Sequence, residues 1–132
     1  MNNVFVAGQD SANGQGFNVW VRKYDSSGGT LWTQGYNNVS NNNDAALAVA
    51  CDKSGNAIVT GFETQANMFR DVWTRKYSPA GNALWTQGYD GSAGGDDWGR
   101  GIATDANGFV YVAGRELTSN QGVDGWLRKY EP

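Results

Sequence analysis

Short apolar stretches separated by glycine- and asparagine-rich polar segments run the length of this chain, and within the stretches apolar and polar residues alternate with a period near two. That alternation marks half-buried β-strands, because successive side chains on an extended backbone point to opposite faces. The middle of the chain predicts four strands in order. Strand A, Ala46 to Asp52, alternates small residues with Leu47, Val49 and Cys51; strand B is Ala57 to Phe62, strand C is Val72 to Tyr77 and strand D is Ala83 to Tyr89. Asp52-Lys53-Ser54-Gly55-Asn56 joins A to B, and Ser78-Pro79-Ala80-Gly81-Asn82 joins C to D. Both read as tight hairpins, opened by a side chain that bonds the turn and completed by a glycine at positive φ. Glu63 to Arg70 after B and Asp90 to Asp97 after D read as longer polar loops.

This four-strand unit is one period of a repeat. Val72-Trp73-Thr74-Arg75-Lys76-Tyr77 has counterparts in Val19-Trp20-Val21-Arg22-Lys23-Tyr24 and Gly125-Trp126-Leu127-Arg128-Lys129-Tyr130, and the three tyrosines are 53 residues apart. Leu31-Trp32-Thr33-Gln34-Gly35-Tyr36 recurs letter for letter as Leu84-Trp85-Thr86-Gln87-Gly88-Tyr89 at the same step, which Gly8, Gly61 and Gly114 also keep. A fixed period of this length indicates a repeat architecture. The alternation of short and long connections is that of a four-stranded antiparallel meander, the blade of a β-propeller. Small-residue strand A suits the crowded axis, and aromatic strands C and D suit the splayed periphery.

The stretch Gly101-Ile102-Ala103-Thr104-Asp105-Ala106-Asn107-Gly108-Phe109-Val110-Tyr111-Val112-Ala113-Gly114 resembles the SBBP-type bacterial β-propeller repeat, and Lys23 to Gly28 fits the same pattern. The chain is more loosely similar to NHL repeats, and the spacing from Asp25 through Gly28 to Trp32 resembles the tryptophan-docking motif of quinoprotein propellers with one turn residue fewer. The resemblance implies an all-β propeller fold over nearly the whole chain. It also implies a bacterial or archaeal surface or secreted protein, so an extracellular setting is expected.

The phase of the repeat gives a partial β-propeller of about two and a half repeats over residues 1–132: strands B-C-D of a first blade (3–43), a complete second blade (44–97) and strands A-B-C of a third (98–132). Closed propellers need about four blades or more. Outer blades alone would expose apolar faces and strand edges, so the expectation is a homo-oligomer or a piece of a longer array. A dimer of about six blades, some three-stranded, fits the phase better than closure into five, and a trimer of about nine is the alternative.

Composition narrows the functional classes. Nineteen glycines, two prolines and 13% aromatic residues suit many short strands and tight turns. A net charge of −3 disfavours nucleic acid or an anionic membrane as a partner. No apolar run is long enough to cross a bilayer, and the chain opens without the basic and apolar leader of a secretion signal. With no histidine and a lone Cys51, the commonest general base, the commonest metal ligand and any intrachain disulfide are missing. No cofactor and no metal are expected.

Trp20, Trp73 and Trp126, with Trp32 and Trp85, recur at fixed phase and read as wedge fillers between blades rather than sugar platforms. Arg22, Arg75 and Arg128 share a strand face with the Trp and Tyr on either side, where guanidinium-on-ring stacking would brace each blade. Asp44 and Asp97 read as caps of the loop before strand A, and Asp25, Asp52 and Asp105 as turn openers. Asn38-Val39-Ser40 matches a glycosylation sequon by coincidence of an Asn-rich loop. Trp98 differs, since its counterpart is Ala45 and no blade-packing rule demands a large ring there. With Asp97, Arg100, Arg115 and Glu116 it forms the candidate ligand-binding set. The set sits by the divergent segments Gln9 to Phe17, Glu63 to Arg70, Arg115 to Val123, Asn37 to Asn43 and Asp90 to Trp98, which gather on one face. The function expected is a non-enzymatic module that self-assembles into a ring, with a loop face for a glycan or protein. The alternatives are a propeller-type glycosidase or lyase using Asp96, Asp97, Glu116 or Glu63 with Arg100 or Arg115, and a fragment with no ligand of its own.

Overall fold

The computed structural model describes residues 2–12, 14–120 and 122–132. Among them ten strands and no helix are found: β1 (Val4–Ala12), β2 (Gly16–Tyr24), β3 (Thr30–Tyr36), β4 (Ala45–Cys51), β5 (Ala57–Thr64), β6 (Arg70–Tyr77), β7 (Ala83–Tyr89), β8 (Trp98–Thr104), β9 (Val110–Thr118) and β10 (Gly122–Tyr130). They form three antiparallel sheets with neighbours in sequence order, β1-β2-β3, β4-β5-β6-β7 and β8-β9-β10. Each sheet is a meander, and each is one blade. The short A–B and C–D turns are built as their residues dictate. Asp52 Oδ1 accepts the N–H groups of Ser54 and Asn56, and Gly55 turns the chain at φ 79°. Asp25 and Asp105 accept their own turns' N–H groups in the same way.

The B–C connections depart from expectation. The segments Gln9 to Phe17, Glu63 to Arg70 and Arg115 to Val123 are strands almost to their tips, with Ala12 paired to Gly16, Thr64 to Arg70 and Thr118 to Gly122. The polar residues there extend the hairpins past the blade's apolar zone, where neither face needs to be hydrophobic. Tight reversals follow from positive φ at Gly14, Gly16, Met68 and Gly122. Asn13 and Gln121, within two of these segments, lie outside the described residues. The D–A connections, by contrast, are true loops.

Strand A enters each blade through a bulge, at Leu47 in β4 and Arg100 in β8. Its backbone crosses so close to strand B that a methyl on Gly61 would overlap the Ala45 carbonyl oxygen, and one on Gly114 the Trp98 carbonyl oxygen. This close approach explains why glycine recurs there. Gly8 holds the same phase on β1, where no strand A of this chain pairs, and a methyl there would meet nothing.

The core lies between the blades. One cluster joins Phe5, Ala7, Val19, Val21, Trp32 and Tyr36 of the first blade to Ala46, Ala57, Val59, Trp73 and Tyr77 of the second. The next joins Ile58, Val72, Trp85 and Tyr89 of the second blade to Ile102, Val110, Val112, Trp126 and Tyr130 of the third. Each blade therefore has a forward face, which covers the next blade, and a rear face, which is covered by the one before. The rear face of the first blade (Val4, Val6, Trp20) and the forward face of the third (Leu127) have no neighbouring blade in this chain. Val4 and Val6 are 54% and 41% exposed, while their counterparts Ala57, Val59, Val110 and Val112 have no exposed surface.

Candidate functional site

Three devices repeat at both seams between blades and account for several of the chemically suggestive residues. The first is a carboxylate clamp. Asp44, fully buried, accepts the Asn38 N–H at 2.6 Å and the Thr64 N–H at 2.8 Å, tying the D–A loop to the tip of the β5–β6 hairpin. One repeat on, Asp97, also fully buried, accepts the N–H groups of Gly91 and Leu117, the latter at 2.7 Å. Burial raises the Asp44 carboxyl above the usual range, its two backbone N–H bonds oppose this, and Glu63 adds a further upward push. The residue before the clamp bonds the start of strand C: Asn43 Oδ1 accepts from Phe17 N, and Asp96 Oδ1 from Arg70 N.

The second device is a latch between strand D and the next blade's strand B. The Tyr36 hydroxyl donates to Glu63 Oε2 at 2.5 Å, and the Tyr89 hydroxyl donates to Glu116 Oε2 at 2.5 Å. Burial, reinforced by the bond to Glu63, pushes the Tyr36 hydroxyl well above its ordinary value. Glu63 also accepts from the Asn38 side chain, so the sequon asparagine is buried inside this network.

The third device is an aromatic stack. Tyr36 stacks on Trp73 and Tyr89 on Trp126, both at 5.0 Å between centroids, with Arg75 and Arg128 each 4.4 Å from the tyrosine ring. Trp73, Trp126, Trp32 and Trp85 fill the wedges, as expected, while Trp20 lies on the first blade's uncovered rear face. Arg75 and Arg128 do more than brace single blades, because the tyrosine each covers most closely belongs to the preceding blade, whereas Arg22 covers Trp20 and Tyr24 of its own blade.

With these devices subtracted, the candidate set divides. Asp97 is walled in, and its oxygens are spent on backbone N–H groups. Glu116 is held in a latch. Trp98, Arg100 and Arg115 come together, and Arg70 joins them. Trp98 stands first in β8, opposite Arg115 in the ladder, and the bulge re-aims Arg100 over the same ring. The guanidinium carbons of Arg115, Arg100 and Arg70 lie 4.2, 4.4 and 5.0 Å from the Trp98 ring centroid. Phe62 of the second blade packs against the same ring at 5.4 Å. Trp98 is thus a packing residue as well as a candidate contact: its ring bridges the second seam and is surrounded by cations. Comparison of equivalent positions could have found Arg70, whose counterpart is Phe17, and flagged Arg115, whose counterpart is Phe62.

Acidic groups gather around Asp71, the residue next to Arg70. Asp71 faces Glu63 across the β5–β6 ladder; burial and the nearby charges of Asp90, Glu63 and Asp97 raise its carboxyl to about 6 against the pull of a bond from Gln65. A polar hollow is lined by Ser92, Thr118, Ser119, Asn120 and Asp124, residues of the D–A loop and of the β9–β10 hairpin end. Among the described residues no three His, Cys, Asp or Glu side chains are grouped as a metal ion would need.

One four-stranded and two three-stranded meanders, packed face to face at a fixed period, define a module of the β-propeller class. Residues 85–115 match the family model described as the SBBP beta-propeller repeat. The match runs from Trp85 in strand D of the second blade, through the Asp97 clamp, to Arg115 in strand B of the third, so the chain carries an SBBP-type repeat there. No curated protein matches the chain.

Proposed function

We propose that this chain is a non-enzymatic propeller module that associates head to tail with further copies of itself, completing a ring whose loop face is open to a ligand. The carrying observation is the state of the two end faces. Leu127 is 72% exposed, while Val21 and Thr74 at the same phase have no exposed surface. The third blade's forward face and the first blade's rear face carry the strand B and strand C parts of a seam that the chain already forms twice internally, without the strand D and strand A that complete it there. Joining them is a heterologous contact, and such contacts close into rings when the rotation permits. A dimer of about six blades is the favoured ring and a trimer of about nine the alternative.

The non-enzymatic reading is supported by where the carboxylates are used. A glycosidase-type pair needs two carboxyl groups facing one space, yet Asp44, Asp97, Glu63 and Glu116 are engaged in clamps and latches. The surface or secreted setting implied by the repeat resemblance is part of the same proposal. Light scattering on the purified chain tests the association. A mass of two or three times 14.2 kDa is expected, and a stable monomer across micromolar concentrations would overturn it.

A further inference from the structure

We infer that Arg70, Arg100 and Arg115, gathered around Trp98, form a seat for the carboxylate of an acidic sugar. The fold does not ask for these residues. At the first seam the corresponding positions are Phe17, Leu47, Phe62 and Ala45, all uncharged, and the blades close there with the same clamp, latch and stack. At the second seam three guanidiniums crowd one ring, although like charges at such distances repel and their partial burial adds a desolvation cost. Local departures of this kind from what packing needs are expected where a site has been built.

The cations are poorly neutralised. Among the described residues the only ion pair any of the three makes is Arg70 with Asp96, at 3.7 Å. Of the other acids close by in sequence, Asp71 accepts from the Gln65 side chain, Asp97 from backbone N–H groups and Glu116 from Tyr89. Arg115 Nε and Trp98 Nε1 are buried donors without an acceptor, so the cluster holds hydrogen-bonding capacity that the fold does not use. The result is a group of three guanidiniums with a single ion pair among the described residues, flanked by the acidic group around Asp71, on a chain of net charge −3.

The arrangement selects the ligand chemistry. Guanidiniums around the ring make Trp98 a pillar that gathers cations, in place of the bare platform a neutral sugar stacks on. What the cluster presents is planar guanidinium forks, and these match carboxylate oxygens two at a time. The hollow at the end of the β9–β10 hairpin, whose first strand carries Arg115, is lined by Ser92, Thr118, Ser119 and Asn120 together with Asp124, and its hydroxyl and amide groups suit sugar hydroxyls better than the side chains of an acidic peptide. A uronate combines both features.

The test is titration calorimetry with oligogalacturonate, oligogalactose and poly-glutamate, at low and at physiological salt. The seat lies within one chain, so binding is measured on whichever assembly forms, and its failure leaves the self-association reading untouched. Oligogalacturonate is expected to bind, more weakly at higher salt, with oligogalactose silent and poly-glutamate at least tenfold weaker. Arg100→Ala with Arg115→Ala should lower the affinity by roughly tenfold or more, with melting temperature checked to confirm folding. Arg100→Lys with Arg115→Lys, which keeps the charge and loses the fork, should fall between. Equal binding of the neutral oligomer, tighter binding of poly-glutamate, no binding of oligogalacturonate at millimolar concentration, or undiminished affinity in the folded alanine variant would each overturn the inference.

Discussion

The two seams between blades share their clamp, latch and stack and differ toward their ends, most sharply at the loop face. Asp44 and Asp97 clamp the same backbone groups, Tyr36 and Tyr89 latch the same glutamates, and the same tryptophans stack on the same tyrosines. At the inner end of the loop face, Ala45 in one seam is replaced by Trp98 and its three arginines in the other. The shared part is what holding blades together requires. The unshared part is open to other use, because a seam with alanine there closes equally well.

If that division is right, substitutions in the shared part should have matched effects at both seams. The largest is expected at the clamp. Asp44→Ala or Asp97→Ala strands two buried N–H groups and should cost about 3 kcal/mol at either site by chemical denaturation. A large loss at one site and a small loss at the other would break the equivalence of the seams. The latch comes next: Tyr36→Phe and Tyr89→Phe each remove a hydroxyl bonded to a carboxylate, with an expected loss of about 1–2 kcal/mol measured in the same way.

A smaller effect sharpens the picture near Glu63. Asp71 has a carboxyl raised to about 6 in the folded chain, against an ordinary value of 3.8. The folded state therefore holds more protons than the unfolded state between these values, and stability falls as pH rises from about 3.8 toward 6. Above that window the cost of ionising a partly buried carboxyl among other acids, chiefly desolvation, is fully present. Asp71→Asn should then raise the melting temperature at pH 7.5 by a small amount, on the order of 2 °C given partial solvent screening. The gain should vanish near pH 4. A gain of equal size at both pH values would mean that ionisation of Asp71 is not its source.

The comparison also explains what was legible in the sequence. Strand order, turn residues and the period follow from side chains whose roles are local, such as Asp52 and Gly55, or repeated, such as Trp73. The outer halves of the B–C hairpins look like loops in the sequence because Glu63 to Thr64 and Arg70 to Asp71, for example, carry polar residues on both faces and so give no two-residue alternation. Partners across a seam were hidden for a different reason. Trp98 meets Phe62 and Arg70, and Arg128 meets Tyr89, at separations set by how blades stack, which no local pattern encodes. The role of Asp97 was legible as a cap, but its second bond, to Leu117, was not.

Head-to-tail association by the two end faces is the central claim, and a complementation experiment tests it most directly. Leu127→Asp spoils the third blade's forward face and leaves the first blade's rear face intact, while Val6→Asp does the reverse. Neither variant alone can then form the contact, but a mixture restores one undamaged pair of faces. Each variant should sediment as a single chain of 14.2 kDa, and an equimolar mixture should give a one-to-one complex of twice that mass. Persistent self-association of either variant, or a mixture that stays monomeric, would contradict the account.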